Sequence, residues 1–137
     1  MGVHLTRQAI DLCIVTTNGP AMLAFYRDVV GLKYLRELVM QNNLGVMHQL
    51  ACGDSIIKLV VVEETPMPAP RGGIRGAAGY RYWTMSVGNV KSLLDNCAAR
   101  GHKIVVPEQE MRPGVRIGMV EDPDGNWLEF LAIGPHG

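Results

Sequence analysis

Apolar positions along this chain follow two rhythms, and the rhythms alternate twice in the same order. Leu23, Tyr26 and Val30 recur at helical spacing. Asn18-Gly19-Pro20 ahead of them suits a helix start, with Pro at the first helical position, and Gly31 suits its end. A second helix is expected from Asn89, as cap, to Gly101, with Val90, Leu93, Leu94 and Cys97 on one face. The other apolar runs are short and read as strands: Ala9–Thr16, Leu32–Met40, Gly45–Cys52, Ser55–Val62, Tyr80–Val87, Lys103–Val106, Val115–Glu121 and Trp127–Ile133. Gly53-Asp54 and Asp122-Pro123-Asp124-Gly125-Asn126 carry turn chemistry between strands.

Strand, helix, then three strands: this order occurs over residues 9–62 and again over 80–133, two stretches of equal length. Little identity links them, so the duplication is one of structure. The pattern predicts an α+β fold built from two βαβββ modules in a single domain spanning 1–137. Residues 63–79 join the modules. Their core, 65–79, is rich in proline and glycine and aperiodic, which suits either a connection between repeats or a mobile flap over a site.

Composition narrows the function classes. The chain has 137 residues, 47% of them hydrophobic and 19% charged, which argues against intrinsic disorder. Thirteen basic residues balance thirteen acidic ones, so the electrostatic footprint of a nucleic-acid binder is missing. No apolar run is long enough for a membrane helix. The segment from Met1 to Ile10 lacks the apolar core of a signal peptide, so a cytoplasmic location is expected. Cys13, Cys52 and Cys97 show no metal-ligand spacing and are expected as buried, reduced thiols.

Four stretches together resemble one family. They are Ala24-Phe25-Tyr26-Arg27-Asp28-Val29-Val30-Gly31-Leu32, Cys52-Gly53-Asp54-Ser55 with Ile56–Leu59, Val87-Gly88-Asn89-Val90, and Glu121-Asp122-Pro123-Asp124-Gly125-Asn126-Trp127-Leu128-Glu129-Phe130. On these the chain resembles the vicinal oxygen chelate superfamily of glyoxalases, bleomycin-resistance proteins and extradiol dioxygenases. Asp122, Asp124 and Asn126 also look like the start of a calcium loop. That loop needs Gly at its sixth and Glu at its twelfth position, where this chain has Trp127 and Ile133. A hairpin turn with Gly125 at positive φ explains the motif better.

The resemblance implies curled mixed sheets around a central cavity, and a homodimer. It also implies a metal held by inward side chains of the first and fourth strand of each module, which map to Asp11, Lys58, Tyr82 and Glu129. The family's common set is His, Glu or Gln, His and Glu, and only Glu129 matches it. Lys58 offers an ammonium with no lone pair, so it would repel a cation. Tyr82 is a poor ligand near neutral pH. No metal or other cofactor is therefore expected; were a metal to bind, Asp11 and Glu129 would be its ligands.

In place of the metal, Lys58 is expected between the Asp11 and Glu129 carboxylates. A charge-compensated cluster without chemistry is the plain alternative. In the functional reading, Glu129 or Asp11 is a general base and Lys58 steadies an oxyanion on a bound carbonyl compound. Flanking carboxylates raise the lysine pKa and disfavour a Schiff base. Tyr82, Thr84, His48 and Trp127 are candidate ligand contacts, and ordinary packing competes for Trp127, Tyr82 and His48. His4, His102 and His136 are expected outside the cavity. Arg71, Arg75, Arg112 and Arg116 are expected as solvated arginines rather than anion receptors. Three functions stay open: a metal-independent enzyme of isomerase or lyase type acting on a carbonyl or ring compound, a protein that sequesters a drug or metabolite, and a metal-dependent glyoxalase-like or dioxygenase-like enzyme. The partner expected in each case is a small molecule, with no nucleic acid and no membrane.

Overall fold

The computed structural model describes residues 2–64 and 66–134, which leaves the expectation for His136 outside the described residues. The chain divides into two compact units, Met1–Pro66 and Met67–Gly137. Each repeats the expected strand, helix and three strands, and the fold is α+β. The expected connector 63–79 is therefore shared: from Met67 onward it belongs to the second unit.

In the first unit β1 (Leu12–Thr16), β2 (Lys33–Val39), β3 (Val46–Cys52) and β4 (Ser55–Val61) form one mixed sheet in the order β1-β4-β3-β2. β1 runs parallel to β4, and the other pairs are antiparallel. β1 begins later than Ala9 because the Asp11 carboxylate accepts the Ile56 N–H at 2.8 Å, where a backbone ladder would otherwise continue. Helix α1 (Gly19–Leu23) passes directly into a wider π-helical stretch, Ala24–Val29, whose turn ends with Val30 N–H on the Phe25 carbonyl at 2.9 Å. Such wide turns interrupt helices locally and are invisible to a 3.6-residue periodicity. Met22, Phe25 and Tyr26 of this helix are fully buried, as are Leu50 and Leu59 of the sheet. No side chain caps α1; Thr16 Oγ1 instead accepts the Asn18 N–H at 2.8 Å.

In the second unit β5 (Tyr82–Ser86), β6 (Ile104–Arg112), β7 (Val115–Glu121) and β8 (Trp127–Ile133) repeat the arrangement as β5-β8-β7-β6. β6 runs well past the expected Val106, and it does so through three register shifts against β7 that break its alternation. Helix α2 (Val90–Ala99) buries Val90, Leu94 and Cys97, as its periodicity predicts. Asn89 stands at the cap position without a side-chain bond there; Ser92 donates its hydroxyl to the Asn89 carbonyl at 3.1 Å. Gly118 of β7 lets α2 approach, since a Cβ there would lie 2.2 Å from Leu94 Cδ1. Gly125 has φ +92°, the left-handed value the turn requires. The Asp122 carboxylate in that turn accepts the N–H groups of Asp124 and Asn126 and the Asn126 amide, all at 2.9 Å, which closes the loop on itself.

The cysteines need a correction. Cys97 is buried, Cys52 is half-buried and Cys13 is exposed. Strand alternation is the reason: Cys13 points away from the face on which its neighbours Leu12 and Ile14 are half-buried.

Candidate functional site

A sheet covered by a helix on one side leaves its other side for a ligand, and strand alternation decides which residues reach it. In the second unit Leu128 and Phe130 point toward the helix-covered core and are fully buried. Their neighbours Trp127, Glu129 and Leu131 emerge on the opposite face. Register places Thr84 beside Glu129 and Tyr82 beside Trp127 on that face, with Met119 across from Glu129 on the other flank.

Glu129 is only 8% exposed. Thr84 donates its hydroxyl to Glu129 Oε1 at 2.8 Å. Among the described residues no ion pair neutralises this carboxylate, whereas Glu108 and Glu121 both have arginine partners. The hydrogen-bond donor to Glu129 is thus a neutral hydroxyl, and its cross-strand neighbour Met119 is apolar. Tyr82, 46% exposed, adds an aromatic ring to the same face.

The proline- and glycine-rich segment is not loose. Its short 3-10 turn, Gly73–Arg75, lies on the Trp127 indole so closely that a Cβ at Gly73 would sit 2.2 Å from the ring. Arg81 holds the turn down, its Nε donating to the Gly73 carbonyl at 2.6 Å and Nη2 to the Pro70 carbonyl at 2.8 Å. Glu121 completes the strap, accepting from the Trp127 indole N–H at 3.4 Å and pairing with Arg71 at 3.5 Å. Trp127 is thereby fixed in place. Arg81 was not among the expected site residues, and its role rests on backbone carbonyls that no motif marks.

In the first unit the face turned from the helix carries a polar row. Cys13 pairs with Lys58, Lys58 with Gln49, and Gln49 with Arg36. Lys58 is half-buried. Gln49 is only 8% exposed, and its Oε1 is buried with no hydrogen-bond partner among the described residues. Its amide Nε2 donates to Met47 Sδ at 3.4 Å. Gln49 was missed by sequence reasoning, although the hairpin turn at Gly53-Asp54 carries the signal. Pairing outward from Cys52 and Ser55 brings Gln49 to Lys58.

His48 is the residue next to it and so lies on the face opposite Lys58, where its Nδ1 meets the Tyr34 hydroxyl at 2.8 Å. Asp11 shares the face of Cys13 but is engaged elsewhere: Arg7 pairs with it at 2.8 Å and also donates to the Asp54 carbonyl. The Ile56 N–H and the Arg7 guanidinium hold the Asp11 carboxyl below the usual carboxylate range, with Lys58 adding least. Asp11 therefore braces the start of β1, and no ion pair joins it to Lys58 among the described residues. In the second unit the structure brings together Thr84, Glu129, Tyr82 and Trp127 as the sequence grouped them.

The metal implied by the resemblance does not fit these donors. Glu129 has a threonine hydroxyl beside it, Lys58 has a thiol and an amide, and no cluster of three His, Cys, Asp or Glu exists among the described residues. A divalent cation needs several anionic or neutral lone-pair donors at once.

Comparison with solved structures gives the same fold repeatedly. The trypanothione-dependent glyoxalase I of Leishmania major superposes with a TM-score of 0.71 at 20% identity, covering 93% of this chain and 87% of that one. An antibiotic-binding protein from Streptomyces sp. CB03234 gives 0.69 at 19% identity, covering 96% and 100%. A glyoxalase family protein from Enterococcus faecalis gives 0.66 at 21% identity, covering 93% and 96%. No curated protein matches the sequence at a significant level. No helix among the described residues is long and apolar enough to cross a membrane. The family model for the Glyoxalase/Bleomycin resistance protein/Dioxygenase superfamily matches residues 4–130, and the chain belongs to that superfamily.

Proposed function

We infer that this protein is a metal-independent acid/base enzyme of isomerase or lyase type, with a small carbonyl compound as substrate. One observation carries the reading: Glu129 is a buried carboxylate that no ion pair neutralises among the described residues, oriented by Thr84, on the face of its sheet turned from the helix. Glu129 takes a proton from the carbon next to the carbonyl, and the electron pair moves onto oxygen as an enolate. In an α-hydroxy carbonyl compound, returning that proton to the former carbonyl carbon while the neighbouring hydroxyl proton moves to the enolate oxygen completes an isomerisation, with no oxidant or co-reactant consumed. Asp11 is already engaged by Arg7 and the Ile56 N–H, which hold its carboxyl below the usual carboxylate range and make it a poor base. We take the active form to be a homodimer.

The test is proton exchange in heavy water. Dihydroxyacetone and hydroxyacetone are incubated with the protein, and loss of the α-proton signals is followed by NMR. Glu129→Gln is expected to lower the exchange rate by about a hundredfold or more, the usual worth of a general base. Equal rates for the two proteins would sink the base assignment.

A second reading has its own support. Tyr82 presents an exposed aromatic ring beside its register partner Trp127 on one face, as a sequestering protein for flat molecules would. An affinity for aromatic ligands that Glu129→Gln and Lys58→Met leave intact, with no exchange activity, would favour capture over catalysis.

A further inference from the structure

We propose that Gln49 and Lys58 form a subsite for the edge of a lactam or cis-amide, a ligand N–H next to a C=O. The argument starts from an imbalance. Gln49 Oε1 can only accept a hydrogen bond, and it is buried with none among the described residues. An acceptor left unpaired away from water is costly, so native proteins seldom leave one without a reason. Directly across the antiparallel pair stands Lys58, whose ammonium can only donate. Side chains opposed in this way lie roughly 5 Å apart and reach the same ligand.

The pairing is selective in chemical type. A carboxylate would suit Lys58 but would set its lone pairs against Gln49 Oε1. An amine would suit Gln49 but would bring a second positive charge to Lys58. A group with a donor and an acceptor side by side satisfies both, and amides, lactams and imides have that edge. Gln49 cannot readily turn its carbonyl away, because its Nε2 is held on Met47 Sδ at 3.4 Å. On the same face Met47 pairs with Val60 on one side of the polar pair, and Ala51 with Ile56 on the other. These apolar neighbours favour a ring that carries the lactam over an open-chain amide.

This subsite extends the small-molecule reading given above and rests on it only for the use of the sheet faces turned from the helices. Two probes test it, 2-pyridone and N-methyl-2-pyridone, the second keeping the carbonyl but losing the N–H. Affinities are read by chemical-shift titration of the full chain. The expected result is binding of 2-pyridone, with the N-methyl compound about tenfold weaker or worse, since it strands the Gln49 oxygen. Gln49→Leu should bind the two probes equally. Should that variant fail to fold, Lys58→Met serves instead: it removes the donor to the carbonyl and should weaken both probes alike while preserving their ratio. Equal binding of both probes by the unaltered protein, binding of neither, or discrimination that survives Gln49→Leu would overturn the proposal. Probe discrimination without proton exchange overturns the catalytic reading alone, and exchange without discrimination overturns only the subsite.

Discussion

At the scale of single residues, environment sorts side chains that composition treats alike. Burial pushes the Cys97 thiol up to about 11, so it stays protonated and unreactive at ordinary pH. Burial raises the Cys52 thiol too, while Cys13 stands exposed. Iodoacetamide at pH 8 should therefore modify Cys13 first and Cys97 only after unfolding, as peptide mass mapping over time would show. Acid brings a different separation. Burial lowers the His102 pKa from 6.5, so its contribution to stability is complete above 6.5 and is lost as pH falls through the lower folded value. Asp11, also depressed, contributes fully above 3.8 and is lost only in stronger acid. Urea midpoints measured against pH should fall first in the histidine range, and His102→Gln should remove that early fall.

What could be read at this scale followed from alternation. The face shared by Tyr82, Thr84, Trp127 and Glu129 needs only a period of two and one fixed residue. The engagement of Asp11 could not be read, because its partners Arg7 and Ile56 are brought to it by the strand ends. Gln49 is legible from its hairpin turn, and the same register puts His48 on the other face.

Elements meet through close approaches that tolerate little change. Gly118→Ala drives a methyl group into Leu94 and should cost about 1–3 kcal/mol in urea unfolding, the usual range for overpacking. Leu50→Ala leaves a cavity in the core of the first unit and should cost about 2–5 kcal/mol. The strap is a separate matter. Gly73→Ala places a Cβ into the Trp127 ring at a φ of +57°, so the turn must lift while the sheet beneath stays paired. Tryptophan emission should shift to the red with the circular-dichroism spectrum unchanged; an unshifted emission would mean that the strap holds Trp127 less closely than described. The segment's composition announced an irregular stretch. Its attachment was hidden because Arg81 binds carbonyls of backbone, which carry no residue-type signature.

Over the whole molecule the duplication is the dominant fact, and it was legible because two helical rhythms each sit between one strand and three. Light scattering on the eluting protein should give twice 15.0 kDa if the active form is the homodimer taken above; a mass of 15.0 kDa would contradict it. The sheet order has a consequence in time. Among the described residues β1 pairs with β4 alone, and β5 with β8 alone, so the first strand of each unit waits until the fourth has been made. β8 is the last of its unit to be synthesised, yet it occupies an inner position and carries Glu129. Closing so long a loop is slow, and the chain spends that interval with β5 unpaired. A nascent chain paused before Trp127 would hold a hairpin of β6 and β7 and an orphan strand. The residue that makes the site would then arrive in the same step that makes the sheet.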